Sequence, residues 1–572
     1  MVKNVYEDNP RGKKPKASYA SNYAEHHKHL CGRVDYLFTE RQPLMTLWQD
    51  IAENFYPERA DFTVKRSIGD EYASNLTTSV PLLVCRDLGN AISAMLRPPG
   101  TTWAHMTTDR PDDQLDNASQ AWLQAKTKVM FRAMMDRPAQ LTKATKEADF
   151  DFAAFGQAVL SAEVNLANNT LLYRNWHLRD VAWQDGPDGA ICIVGRKWKP
   201  TALDLKIYMG QDKLHANVIR LLEDNGGKNC HTKVEVMHIV VKADQYDGPK
   251  QRMPYVSLYI DVTNKHVMEE IGIPTSHYII PRWQTVSGTQ YAHSPATVAA
   301  LPDARLIQEI TYTLLKAGQK AVDPPMIATQ EMIKSPIDIQ PGGVTWVDGD
   351  YDERLGEVLR SMPVDSRGIP VGLNMQDRIQ AMLSSSFFLD KLQLPPMQPE
   401  TTAFEIAQRL QQYVRQALPL FGPIEQEYNA PFCENTFELL MLNGAFGPVE
   451  EIPDGLRGSN IRFRFESPLV DANDQQLVQT YTDMINLLNI TTPIDPTAIH
   501  AIKIPSAFRS TLGGRQVPAS WLTSEEEMEA GIAQAKEQQQ QMQQAQQLQI
   551  GAEAVRTAGE AGQAVNMAQE GA

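Results

Sequence analysis

Apolar residues recur every three or four positions along several stretches of this chain, most fully within residues 376–443. From Gln376 the apolar positions are Ile379, Met382, Leu383, Phe387 and Leu389, with Ser384, Ser385 and Ser386 between them. That spacing predicts a helix with one greasy face and one small polar face. Pro395, Pro396 and Pro399 follow, and proline cannot continue a helix. Thr401 or Thr402 then caps a second helix, with Glu405 completing a capping box to Thr402. Its stripe is Phe404, Ile406, Leu410, Val414, Ala417, Leu418 and Phe421.

The same reading predicts helices over 22–41, 43–56, 79–97, 114–135 and 138–153. Pro43 suits a first helical turn, and Pro57 and Pro98 lie past helix ends. From about 158 to 283 the pattern shifts to short runs rich in β-branched and aromatic residues, such as AICIVGRKW and YVSLYIDV. Two short helices near 201–210 and 213–222 interrupt them. Ser294 and Pro295 open a further helix, which Pro302 kinks or restarts. Leu306, Ile307, Ile310, Leu314, Leu315 and Ala321 form its stripe, and Pro324 and Pro325 end it. PMIATQEM, IDIQPGGVTWV and the helix-like DERLGEVLRSM then suggest a small α/β module. After Gly444 and Gly447 comes a strand, NIRFRF, and a helix at about 473–488. Thr523 with Glu526 caps a final Gln-rich helix, and residues 551–572 read as a frayed Gly/Ala tail.

A chain of 572 residues can bury a large core or several. Asp and Glu outnumber Lys and Arg by 69 to 54, a net charge of −15. Such acidity opposes a tight grip on nucleic acid, which needs a basic surface, and allows DNA to slide past. The five cysteines (Cys31, Cys85, Cys192, Cys230, Cys433) include no CxxC pair, so neither a disulfide framework nor a zinc site is expected. The N-terminus lacks the apolar core of a signal peptide, and no apolar run is long enough to span a membrane. His26, His27 and His29 read as a solvated helix face rather than a metal site. Asp149 and Asp151 point apart on a helix and make no catalytic pair. Asp348, Asp350 and Asp352 mimic the start of a calcium loop, but Glu353 and Leu359 stand where that loop needs glycine and glutamate. No phosphate-binding loop, nucleophile elbow or zinc-protease motif occurs. No catalytic residue, cofactor or metal is assigned.

A helix ending in MLSSSFFL, a short loop and then TTAFEIAQR resembles the head-to-tail connector (portal) proteins of short-tailed double-stranded DNA phages. The order of the remaining features is similar too, over about residues 20–550. The resemblance implies an α+β subunit: a mostly helical wing with a β-rich subdomain, a two-helix stem, a small α/β clip and a helical C-terminal crown and barrel. On that basis residues 1–20 are a disordered basic arm and 21–292 the wing. Residues 293–323 are the first stem helix, 324–370 the clip and 371–391 the second stem helix. A tunnel loop spans 392–401, a wing spine helix 402–450, a crown 451–522 and a Gln-rich barrel helix 523–550.

The resemblance further implies a ring, a dodecamer in this family, at one capsid vertex. It would be the channel for packaging and ejecting double-stranded DNA and the platform for a terminase motor and a tail adaptor. Major capsid, scaffolding and internal core proteins are further expected partners. The expected setting is the virion, after assembly in the host bacterial cytoplasm, with no membrane. Leu392, Gln393, Leu394, Pro395, Pro396, Met397, Gln398 and Pro399 fall in the tunnel loop. Lys316, Lys320, Arg378 and Lys391 are candidate lumen contacts, with solvating charges or inter-subunit pairs as the other reading. Trp346 and Tyr351 are candidate adaptor-facing clip residues. The alternatives are a ring or scaffold without DNA passage and, third, a hydrolase using scattered acids.

Overall fold

In the computed structural model, the residues described are 18–19, 23–67, 69–98, 100–109, 116–165, 169–249, 252–328, 346, 359–361, 367–392, 422–465, 468–491 and scattered positions between 504 and 542. They show a mixed helix and sheet, α+β chain in two units. The first comprises Met1–Ala104, Val129–Phe446 and Phe463–Ala472; the second comprises His105–Lys128, Gly447–Arg462 and Asn473–Ala572.

The chain starts with strand β1 (Ser18–Tyr19) and helices α1 (Glu25–Glu40), α2 (Gln42–Phe55) and α3 (Val80–Leu96). Strand β2 (Ala104–Thr108) and helices α4 (Asn117–Met135) and α5 (Leu141–Phe155) follow. Prolines occupy the first turns of α2 and α3, where their missing amide has no partner to lose. Gly156 ends α5 at φ 75°, and a Cβ there would come within 2.6 Å of the backbone of His293 and Ser294. Only glycine permits both the left-handed turn and that approach. Asp149 and Asp151 diverge as their spacing requires. Asp149 takes the Arg97 guanidinium and the Tyr428 hydroxyl, the latter at 3.0 Å. Burial pushes its carboxyl above the usual range, against the pull of Arg97. Asp151 accepts from Arg59 at 2.9 Å and from Asn175 at 2.6 Å.

Strands β3 (Val159–Asn165), β4 (Thr170–Trp176), β5 (Val181–Asp185) and β6 (Ile191–Trp198) come next. Helices α6 (Ala202–Met209) and α7 (Ala216–Glu223) precede β7 (Val236–Lys242), β8 (Tyr255–Asp261), β9 (His266–Ile273) and β10 (Tyr278–Ile279). Six strands form an antiparallel sheet in the order β1-β9-β8-β7-β6-β5, and three form another in the order β10-β3-β4. Alternation gives the larger sheet two covered faces. Leu30, Val34 and Leu37 of α1 pack on Ile193, Ile239 and Leu258; α6 and α7 cover Val236, Tyr259 and Met268. His238 on β7 is fully buried, stacked on Tyr259 at 3.9 Å and bonded to Ser257 Oγ at 2.9 Å. Burial, with Arg196 and His277 nearby, holds it well below the ordinary histidine range.

Two expectations fail here. Ser18 and Tyr19 are not part of a disordered arm; they pair with Glu270 and Glu269 on the edge of the larger sheet. His27 is buried rather than solvated, because α1 turns it inward to Glu270 at 3.4 Å.

Helix α8 (Leu301–Val322) follows a π-helical turn at Ala296–Ala300. Pro302, in its first turn, restarts the helix, and the wider turn before it avoids a clash between the proline ring and a carbonyl. Strands β11 (Met326–Ala328) and β12 (Leu359–Ser361) pair antiparallel, so DERLGEVLRSM ends in a strand and not in a helix. Helix α9 (Gly368–Ser386) starts earlier than expected and is interrupted at Phe387–Phe388 before α10 (Leu389–Leu392). A second π turn at Glu425–Asn429 leads into α11 (Ala430–Leu442), again with proline in the first turn. Gly444 at φ 71° closes it, as expected.

In the second unit, Thr127 Oγ1 accepts the Met106 amide at 3.1 Å and donates to the Leu123 carbonyl at 2.8 Å. Strand β13 (Ile461–Phe465) and α12 (Pro468–Thr491) stand near the expected places. Of the Gln-rich stretch, Gln541 and Met542 are among the few described residues, and both are helical. Residues 348–353, 393–399 and 402–421 lie outside the described residues.

Candidate functional site

The candidate site is the pair α8 and α9. Ser294 prepares the first helix: its hydroxyl accepts the Thr297 amide at 3.1 Å and donates to the Ala154 carbonyl at 2.7 Å. Leu301, Ala304 and Ile307 are buried, so the first turns of α8 are rooted in the first unit. The Gln308 amide fastens the next turn. Its oxygen accepts from the Thr77 and Thr78 amides at 2.7 and 2.9 Å, and its nitrogen donates to the Thr78 carbonyl at 2.9 Å. Arg305 reaches Asp50 at 3.0 Å.

Helix α9 runs back along α8. Gln376 donates to Thr311 Oγ1 at 3.2 Å, and Gly372 lies against Leu314. Those pairings fall in reverse order, so the helices are antiparallel. A Cβ at 372 would sit 2.6 Å from Leu314 Cδ2, so glycine sets the close approach. Nearer the first unit, Ile379, Leu383 and Phe387 are buried, and Phe387 packs on Phe55 with ring centroids 5.3 Å apart.

Away from that root, the pair exposes large apolar side chains. Tyr312, Leu315 and Val322 on α8, and Val371, Met375 and Met382 on α9, are between 48% and 88% exposed. Steps of three, four and seven place each trio on one face of its helix. Each helix therefore has an inner face toward its partner and a separate apolar stripe that, among the described residues, is left exposed. Met382 was expected on the buried face; the structure puts it in the outer stripe, because Ile379 and Leu383 already define the inner one.

Lys316, Lys320, Arg378 and Lys391 are all exposed. The Lys316 ammonium lies 4.2 Å from the Tyr312 ring centroid, and that of Lys391 5.2 Å from Phe388. Arg378 falls between Met375 and Met382 on their own face. Trp346 is exposed. Tyr351 and all of the expected tunnel loop except Leu392, which ends α10, lie outside the described residues. Sequence reasoning put residues 368–370 outside the helix and, although it began the stem at residue 371, traced an apolar face only from Gln376, so it missed the roles of Val371 and Met375. The i, i+4, i+11 spacing of Val371, Met375 and Met382 was the available signal. Among the described residues, no three His, Cys, Asp or Glu side chains are placed to hold a metal ion, and no helix is long and apolar enough to cross a membrane.

A family profile described as "Bacteriophage head to tail connecting protein" matches residues 27–522. The chain is 23% identical over 451 residues to a "Probable portal protein" of Bordetella phage BPP-1, covering 78% of this chain and 79% of that one. It is 19% identical over 494 residues to a "Portal protein" of Salmonella phage epsilon15, covering 84% and 85%. A chain from the "Virion of native gene transfer agent (GTA) particle" aligns with a TM-score of 0.33 and 10% identity, covering 71% of this chain and 86% of that one, too distant to bear on the fold.

Proposed function

Because the chain belongs to the bacteriophage head to tail connecting protein family and its function is that of a phage portal, we propose that its copies close side by side into a dodecameric ring through the outer stripes of α8 and α9. As a portal it is a virion component, in a capsid-associated oligomeric assembly with capsid and tail components. The role is structural; it catalyses nothing. Assembly takes place in the host cytoplasm.

The observation that carries the ring is the pair of uncovered stripes. Burying one apolar side chain contributes about 1.5–3 kcal/mol, so six at one seam supply a substantial driving force. The two stripes differ, so one copy's Tyr312, Leu315 and Val322 meet the next copy's Val371, Met375 and Met382. A heterologous contact of that kind closes into a ring when its rotation divides the circle. Arg378 then lies in the seam. Lys316, Lys320 and Lys391 are left as lumen contacts, few enough on a chain of net charge −15 that double-stranded DNA can move.

On this reading 21–292 and 402–450 form the wing, 293–323 and 371–391 the stem, and 392–401 the tunnel loop. Residues 324–370 are the clip that meets the tail adaptor through Trp346 and Tyr351, 451–522 the crown and 523–550 the barrel helix. A separate terminase motor docks on the ring. Capsid, scaffolding and internal core proteins surround its wider end.

The test is a charge swap across the seam. Leu315→Glu alone and Met375→Lys alone should abolish rings with a central hole, seen by negative-stain microscopy. Both in one chain should restore them, because each new acid meets a new base on the neighbouring copy. Rings that survive both single changes would sink the seam. Rings without a bore would return the scaffold reading.

A further inference from the structure

Nothing in the local sequence tells the rod of residues 368–392 to break where it does. From Leu373 to Leu392 there is neither glycine nor proline. Yet α9 stops at Ser386 and α10 starts at Leu389, because Phe388 adopts φ +58°. The other non-glycine residues with positive φ among those described are Gln140, Asn169 and Lys265, none of them aromatic. The left-handed conformation is strained for an L-residue, and a bulky residue there is a genuine outlier.

The compensation comes from outside the rod. The Phe388 ring lies nearly parallel to the Trp283 indole, at 12° and 6.2 Å between centroids. Trp283 is itself packed on Phe152 at 5.3 Å. Its amide donates to the Gly156 carbonyl at 2.7 Å, and the adjoining Arg282 reaches Asp185 at 2.7 Å and Glu427 at 3.3 Å. The indole is therefore a fixed platform. An aromatic stack and an exposed cation–π contact each contribute modestly, on the scale of the strain at one left-handed residue. These gains match the backbone cost, so neither dominates. One more contact bridges the break: Ser385 Oγ donates to Asp390 Oδ2 at 3.3 Å, across exposed side chains. Phe387, by contrast, is fully buried and anchors the end of α9 whichever way Phe388 turns.

We propose that Phe388 is a two-position joint. In one position it is left-handed and stacked on Trp283, with the rod bent. In the other it is right-handed, and residues 368–392 form one continuous helix. Whatever covers or frees the Trp283 indole sets the balance, so the platform reports the state of the first unit to the end of the rod. This inference rests on one chain's geometry and stands whether or not the ring seam is as described above.

The test is a distance across the joint. Nitroxides at Gln380→Cys and Lys391→Cys, in full-length protein carrying Cys230→Ser and diluted with unlabelled chains, are read by double electron–electron resonance. A continuous helix separates the two backbones by about 17 Å, eleven residues at 1.5 Å each. Trp283→Ala should collect the distribution near the continuous-helix value. Phe388→Gly, which makes the left-handed turn free of strain, should empty that peak. Far-UV circular dichroism checks that each variant is folded. If both variants reproduce the parent distribution, the joint is a fixed kink and the proposal is wrong; Phe388→Gly alone decides the matter should Trp283→Ala fail to fold.

Discussion

The six-stranded sheet and the α8–α9 pair draw on similar apolar side chains and dispose of them in opposite ways. The sheet spends both faces inside one chain, α1 covering one and α6 with α7 the other. The helix pair uses one stripe of each helix on its partner and leaves a second bare. The first arrangement is complete in a single subunit. On the proposed ring, the second is completed by a neighbouring copy. The contrast also runs within each helix of the pair: Ile307, Leu383 and Phe387 are buried in the subunit, whereas Leu315 and Met375 are exposed.

The sharpest way to break that contrast is at the root. Phe387→Ala empties a fully buried site and should cost the isolated subunit about 3–5 kcal/mol in chemical denaturation. Gln308→Ala removes the partner of two backbone amides and should cost about 2 kcal/mol, read as a lower thermal midpoint. The sheet has its own signature in pH. His238 is held well below 6.5 in the fold, so the unfolded chain binds the proton first. Stability should therefore fall as pH drops below about 6.5, by up to about 1.4 kcal/mol per pH unit from this residue, until its folded value is reached. Urea titrations at pH 7.5 and 5.5 measure the difference, and His238→Asn should flatten it. The smallest effect is expected at the stripe: Met375→Ala should change the stability of a dissociated subunit by no more than about 0.5 kcal/mol, while weakening its assembly in light scattering. A large loss in the dissociated subunit would mean that the stripe is already covered within the chain.

Much of this was legible beforehand. Periodicity located α1, α2, α3, α5, α8 and most of the strands within a few residues, since long amphipathic segments carry the strongest local signal. The candidate helices were legible as helices, and the antiparallel return of α9 onto α8 agrees with their order along the chain. Their division of labour was not. Periodicity shows that Met382 and Leu383 lie near one another on a helix, but which is covered depends on where Gly372 and Ile379 meet their partners. His27 misled for the same reason: three histidines in a row of polar residues look solvated until Glu270, far along the chain, comes to lie beside one of them. The strand at Leu359–Ser361 depended on Met326–Ala328 in the same way.

The sequence by itself determined the family, the order of helices and sheets, and the prolines and glycines at which they start and stop. Those are local properties, written in spacing and in backbone chemistry. Only the tertiary structure decided which apolar stripes are covered within the subunit and which are left over, and where an aromatic platform bends a rod at a point with no glycine or proline nearby. Burial and stacking depend on residues distant in sequence, and the energies involved are close enough that no single segment settles them.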